Sequence, residues 1–320
     1  MKPWAAVAAA VPLAAGCVAG PAGPASAAPT ARESTAQGST TRESTPAAPT
    51  KKGTRTPAAR PPVVPAGTTA GWVVFDRTSG KIVTHRNAHR KFRSASVIKI
   101  LIAIDHLERH KSVTPADARL LQIMLRSSDD GAATAFWDRG GKGAIVTRMA
   151  RKLGLSDTTP PPADKPGFWG YVSLSAYDIV RTYRYLLDTA SPRVRQTIVG
   201  HLRRSTPCGT DGFDQSFGIP TAVPRPWAVK QGWSGFGETP PTRCDDSAAQ
   251  GASISMVART ALGSGVPDYG RPVLHTTGLV GKDDRFVMAL LTAHPAGGGW
   301  NASVKRVTKL AGDLYRTVSR

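Results

Sequence analysis

The chain has 320 residues, with 42 Lys and Arg against 22 Asp and Glu, and a formal net charge of +20. That length holds one large domain or two small ones. So basic a composition suggests nucleic acid first, but no stretch interleaves aromatic and basic residues as single-strand binders do.

The N-terminus points out of the cell. Lys2 is followed by an Ala-rich apolar run over residues 4–15, too short to cross a bilayer and shaped like a secretory signal. Two processing sites are legible. Leu13-Ala14-Ala15-Gly16-Cys17 resembles a lipobox with Cys17 as the lipidated residue, and Ala25-Ser26-Ala27 fits an ordinary signal-peptidase site. Either one predicts an exported protein, secreted or lipid-anchored at the outer face of the cytoplasmic membrane. Residues 1–28 are thus expected to be a signal peptide. Residues 29–68 are Ala-, Pro-, Ser- and Thr-rich, with Arg32-Glu33-Ser34-Thr35 repeated as Arg42-Glu43-Ser44-Thr45. Such a segment has too little apolar surface to offset its ordering entropy and is expected to be a disordered tether. Residues 69–320 form the expected domain. Export removes nucleic acid as a partner and leaves anionic cell-wall polymers or anionic lipid headgroups as counterparts for the basic surface. It also predicts a disulfide between Cys208 and Cys244.

Within the domain, residues 71–76 and 82–85 read as a β-hairpin around the turn at Thr78-Ser79-Gly80-Lys81. A helix is expected from Ser96 to about Arg109. Thr114-Pro115 opens a second, carrying Leu120, Leu121, Ile123 and Met124, which stops at Ser127-Ser128-Asp129-Asp130-Gly131. Ala132, Ala133, Phe136 and Trp137 share one face of a third. Ser175-Ala176-Tyr177-Asp178 reads as a capping box before another helix, and Ser191-Pro192 begins the next. Strands are expected at residues 227–230, 273–277 and 285–291, with a turn at Gly281-Lys282-Asp283-Asp284. A final helix starts near Asn301, itself a glycosylation sequon read here as a helix cap. Two strands, a helical block, three strands and a helix make an α+β design, an antiparallel sheet flanked by helices with an all-helical lobe inserted.

Chemistry concentrates at Ser96-Val97-Ile98-Lys99. Residues three apart share a helical face, so the Lys99 amine can reach the Ser96 hydroxyl and accept its proton. Apolar neighbours and the positive end of a helix would both push that lysine toward its neutral form. Ser128-Asp129-Asp130 follows in an interhelical loop, and Lys230-Gln231-Gly232 lies on a strand.

In this order the three motifs resemble the S-x-x-K, S-D-N and K-T/S-G signatures of the penicillin-recognising serine hydrolases, the class A β-lactamases and D,D-peptidases. The resemblance covers nearly all of residues 71–320. It implies Ser96 as the acylated nucleophile, Lys99 as its base, and Ser128 with Lys230 as the proton path to the leaving nitrogen. It implies Lys230 as a site for a substrate carboxylate, Gly232 as room for the substrate backbone, and the N–H groups of Ser96 and Trp233 as an oxyanion hole. No metal or organic cofactor is implied. The substrate would be a peptidoglycan peptide or a β-lactam, and the protein a monomer.

Departures from the pattern are equally specific. Asp130 stands where the family has asparagine, and a carboxylate cannot donate to a substrate carbonyl. Gln231 replaces a hydroxyl residue, with Ser234 or Thr276 as substitutes. The spacing from Ser96 to Ser128 is shorter than in class A enzymes. Residues 156–171 contain no glutamate, only Asp157 and Asp164 without the E-x-x-x-N spacing that positions a deacylating water. Acylation therefore has its residues and efficient deacylation does not. The rival expectation is a catalytically impaired wall-binding domain of the same fold. His106 and His110, four apart, lack a third metal ligand and read as a solvated helical face, and Trp227, Trp233 and Phe236 are candidates to line a substrate groove.

Overall fold

The computed structural model describes residues 62–245 and 265–319. The expected signal peptide, Cys17 and nearly all of the expected tether lie outside the described residues.

Among the described residues, seven strands and eight α-helices follow in chain order. Strands β1 (Thr69–Asp76) and β2 (Lys81–Arg86) form the expected hairpin, closed by Gly80, whose N–H donates to Asp76 O at 2.9 Å with φ of 69°. The short β3 (Phe92–Arg93) leads into a 3-10 turn, Ala95–Ile98, and only then α1 (Lys99–Arg109). The expected helix start at Ser96 is thus corrected by one turn. Ser96 sits in the tighter 3-10 segment, and Ala95 before it has φ of 43°, a left-handed backbone for a non-glycine residue.

Helices α2 (Pro115–Arg126), α3 (Asp130–Arg139) and α4 (Gly143–Leu153) complete the first part of the lobe. Their caps explain the boundaries. Thr114 Oγ1 accepts from Asp117 N at 3.1 Å with Pro115 at the first helical position, and Asp129 Oδ1 accepts from Ala132 N at 2.7 Å. Helix α4 was not expected from sequence. It ends at Gly154 in the left-handed conformation. After β4 (Ser173–Leu174), paired with β3, come α5 (Ala176–Asp188), capped by Ser175, and α6 (Pro192–Leu202), capped by Ser191. The short α7 (Ile219–Ala222) precedes β5 (Trp227–Ser234), β6 (Val273–Val280), β7 (Phe286–Ala293) and α8 (Trp300–Val318). Gly299 occupies the α8 cap, so Asn301 is an exposed first-turn residue and not the cap expected for it.

The five long strands form one antiparallel sheet in the order β2-β1-β7-β6-β5, placing β5 at an edge. Alternation along the strands divides the core in two. Val73, Phe75, Ala289 and Leu291 face the helical lobe, whereas Trp72, Val74, Met288 and Leu290 face α8. Residues Lys99 through Leu107 of α1 are all buried, as expected of the central helix of the lobe. Its first turn is therefore fixed against the β5 edge, which carries the third motif.

Candidate active site

Ser96, Lys99, Ser128 and Lys230 meet in one hydrogen-bonded chain. Lys99 Nζ donates to Ser96 Oγ at 2.9 Å and to Ser128 O at 2.5 Å, with Ser128 Oγ at 3.4 Å. Lys230 Nζ lies 2.8 Å from Ser128 Oγ and 3.1 Å from Gln231 O. Local structure sets each position. The 3-10 turn presents Ser96 one step ahead of α1, whose first residue is Lys99. Ser128 sits between α2 and α3 with φ of 58°, and that kink turns both its carbonyl and its hydroxyl toward Lys99.

Both lysines are buried. Asp130, at the first position of α3, reaches Lys99 Nζ with Oδ1 at 2.6 Å and is itself partly exposed to the cavity. Burial, and then the Lys99 charge, drive Lys230 well below the ordinary lysine range, against the opposing pull of Asp130 and Asp211. On the opposite side of Lys99, the indole ring of Trp169 has its centroid 4.7 Å from Nζ, while Trp169 Nε1 donates to Thr134 Oγ1 at 3.2 Å.

A cavity of about 320 Å³ opens over Ser96, between Asp130, the aromatic run 168–171, Asp211 and the end of β5 with its following loop. Trp233 lines it from the edge strand. Its Nε1 donates to Asp211 Oδ2 at 2.8 Å, and its ring packs among Phe213, Phe217 and Trp300. Burial raises the Asp211 carboxyl despite the Phe213 N–H it accepts at 3.1 Å. Arg93 braces the other wall, donating to Asp268 O at 2.6 Å, Arg271 O at 2.6 Å and Ser234 O at 3.2 Å.

Gly232 faces the 3-10 turn that carries Ser96. A Cβ there would stand 3.0 Å from Val97 Cγ2 and 3.2 Å from both Ser94 O and Ser96 N. What its missing side chain makes room for is the turn carrying Ser96, which lets the strand bearing Trp233 run directly alongside. Ser234 lines the cavity, but Thr276 does not. Its hydroxyl is buried on the other face of the sheet and accepts from Ile219 N at 3.0 Å. Gln231 points the same way, its amide donating to Phe217 O, so it is unavailable to a substrate. Phe236 lines the cavity, whereas Trp227 is a core residue beneath Arg225.

The stretch 156–171 contributes no carboxylate to the cavity. Asp157 accepts from Ser175 Oγ at 2.7 Å and contacts His89 at 2.8 Å, and Asp164 is exposed and paired with Lys165. Phe168, Trp169, Gly170 and Tyr171 line the cavity instead. His106 is buried against Phe136, correcting the expected solvated face, and burial lowers its imidazole to about 4. Cys208 and Cys244 form a disulfide with Cα atoms 5.5 Å apart, and Cys244 N donates to Gly212 O at 2.8 Å, tying two loops together beside Asp211. Sequence reasoning missed Asp211 and Trp169. Asp211 belongs to no motif, though it lies three residues beyond a cysteine expected to pair. The aromatic cluster at 168–171 was legible but was read only for its missing glutamate.

No protein-family model matches the chain. It is similar to "Putative lipoprotein LppW" of Mycobacterium tuberculosis, 41% identical over 188 residues, which are 56% of this chain and 59% of that protein. The chain thus spans less than two thirds of this relative's length. D-alanyl-D-alanine carboxypeptidase DacB2 of the same organism is 28% identical over 158 residues, 40% of this chain and 53% of that one. Among solved structures, a mutant of PBP-A held as its acyl-enzyme complex with penicillin G aligns with a TM-score of 0.56 and 16% identity, over 79% of this chain and 91% of that one. A class A β-lactamase from Mycobacterium abscessus aligns with a TM-score of 0.54 and 17% identity, over 79% and 95%. The fold is that of the penicillin-recognising serine hydrolases.

Proposed function

We propose that this domain is an exported serine hydrolase acylated at Ser96 by a peptide-like amide of the peptidoglycan type or by a β-lactam, and that it releases the acyl group slowly. The observation that carries this reading is the unbroken contact chain from Ser96 through Lys99 and Ser128 to Lys230, opening on a cavity large enough for a short peptide. A nucleophile, a proton path and a groove are what amide acylation needs. The neighbouring N–H groups of Ser96 and Trp233 serve as the oxyanion donors, and Ser234 is the hydroxyl closest in place to the one the family uses on a substrate carboxylate. Slow release follows from the cavity lining, to which residues 156–171 bring Phe168, Trp169, Gly170 and Tyr171 and no carboxylate to activate a water.

The N-terminal signal with its Cys17 lipobox, and the printed name of the LppW relative, support attachment to the outer face of the cytoplasmic membrane. Among the described residues no helix is long and apolar enough to cross a membrane. The basic surface suits anionic wall polymer. One observation favours the rival reading of an impaired wall-binding protein: Asp130 ties up Lys99 in an ion pair.

Incubation with a fluorescent penicillin, followed by intact-mass analysis, decides between them. The expected result is one covalent penicillin on the wild type and none on Ser96→Ala. An unlabelled wild type, or equal labelling of the variant, overturns acylation at Ser96.

A further inference from the structure

Lys99 and Lys230 sit in one buried network, yet their partners differ. Three close acceptors surround Lys99 Nζ: Ser128 O at 2.5 Å, Asp130 Oδ1 at 2.6 Å and Ser96 Oγ at 2.9 Å. The carbonyl and the carboxylate can only accept, and with Lys99 paired as an ammonium to Asp130 its third N–H goes to Ser96 Oγ, leaving no lone pair for the Ser96 proton. Lys230 has no carboxylate within ion-pair distance among the described residues. It touches the Ser128 hydroxyl at 2.8 Å and Gln231 O at 3.1 Å. The charged groups that face it are Lys99, Asp130 and Asp211. Behind it, Thr277 Oγ1 donates to Lys230 O at 2.9 Å and meets Tyr183 OH at 3.1 Å, a phenol kept neutral by burial. A lysine enclosed in this way is the type that gives up its charge.

We infer that Lys230 is the general base that finally holds the Ser96 proton, with Ser128 as relay and Lys99 as a cation fixed by Asp130. This rests on the reading of Ser96 as the acylated residue. As Ser96 Oγ bonds to the substrate carbonyl carbon, the carbonyl π electrons move onto its oxygen. Lys99 passes a proton to Ser128 Oγ, Ser128 passes its own hydroxyl proton to Lys230, and Lys99 takes the Ser96 proton. One proton has moved from Ser96 to Lys230, and Lys99 keeps its charge. When the tetrahedral adduct collapses, Lys230 returns that proton to Ser128, and Ser128 delivers its proton to the nitrogen as the C–N bond breaks. The same lysine thus serves as base for attack and acid for departure.

Two measurements test this on the intact protein. The first is the side-chain nitrogen resonances of lysine-labelled protein, assigned with Lys99→Arg and Lys230→Arg. They are expected to show Lys99 as ammonium and Lys230 as neutral amine at pH 7, with Lys230 converting to ammonium on acidification. Two ammonium signals at pH 7, or a neutral Lys99, overturn the inference. This readout needs no substrate, so it tests the charge assignment separately from penicillin labelling, whose failure would sink the proposed function and the base role that rests on it. The second is penicillin acylation by Lys230→Arg, which keeps the positive charge but cannot accept a proton. A loss of about 100-fold or more in the acylation rate at saturating penicillin is expected. Acylation within about threefold of wild type would show that only the charge of Lys230 matters, and would overturn the proposal.

Discussion

The indole of Trp169, from the 156–171 stretch that carries no glutamate, has its centroid 4.7 Å from Lys99 Nζ. This one contact couples stability to chemistry. It lays an apolar ring against a buried cation, and under the proposed function it is the candidate barrier to a deacylating water. Removing the ring in Trp169→Ala is expected to destabilise the fold by about 3–5 kcal/mol, the usual cost of emptying a buried aromatic site. The same variant should shorten the lifetime of the penicillin adduct. Urea unfolding and the decay of the labelled species measure the two effects, and an unchanged lifetime would separate Trp169 from deacylation.

Asp130 pins the charge on Lys99 at 2.6 Å. Asp130→Asn keeps an acceptor oxygen there, removes the anion, and adds an amide that can donate to a substrate carbonyl. Lys99 is then free to act on Ser96 directly. Acylation by a penicillin is expected to accelerate by about tenfold, the low side of what a positioned base contributes. Stopped-flow labelling checks it, and a slower variant would mean that the ion pair itself organises the nucleophile.

The Cys208–Cys244 bridge closes a loop with a sequence separation of 36 residues. In the chain-entropy account such a loop contributes about 4 kcal/mol, which for a domain of this size lowers the melting temperature on the order of 10 °C when lost. The bridge also holds the loop carrying Asp211 and Phe213 beside Trp233. A Cys208→Ser, Cys244→Ser double variant should therefore melt earlier and acylate more slowly. Calorimetry and adduct formation report these separately.

Acid should unfold the domain early. Burial lowers His106 and His275 to about 4 and His294 to about 3. Each folded value lies below the ordinary 6.5, so the unfolded chain binds more protons between pH 6.5 and about 4. Stability is fully present above that window and is lost as pH falls through it. Each titrating histidine contributes about 1.4 kcal/mol per pH unit at most, so the three together cost roughly 3–4 kcal/mol between pH 6 and pH 5. Urea midpoints at the two pH values give the slope. Burial lowers His201 to about 4 as well, so His106→Gln should flatten the slope by about a quarter, and a midpoint insensitive to pH would contradict the assignment.

Sequence alone determined the α+β order of elements, because period-2 alternation and Ser or Thr caps are local signals that tertiary packing did not override. Thr114, Ser175 and Ser191 cap the helices expected of them. It also determined which residues converge at the site, since Ser96, Ser128 and Lys230 belong to motifs whose order was readable before any distance was known. Local signals failed where the backbone departs from ordinary helix geometry. The 3-10 turn at Ala95–Ile98 was legible only as helix, and α4 was not expected at all. Only the tertiary structure decided the electrostatics. Which lysine has a carboxylate in contact, that Trp169 covers Lys99, and that Asp211 joins Trp233 at the cavity all depend on residues far apart in the chain. Charge state is set by burial and by neighbours within a few ångströms, and neither quantity exists until the chain has folded.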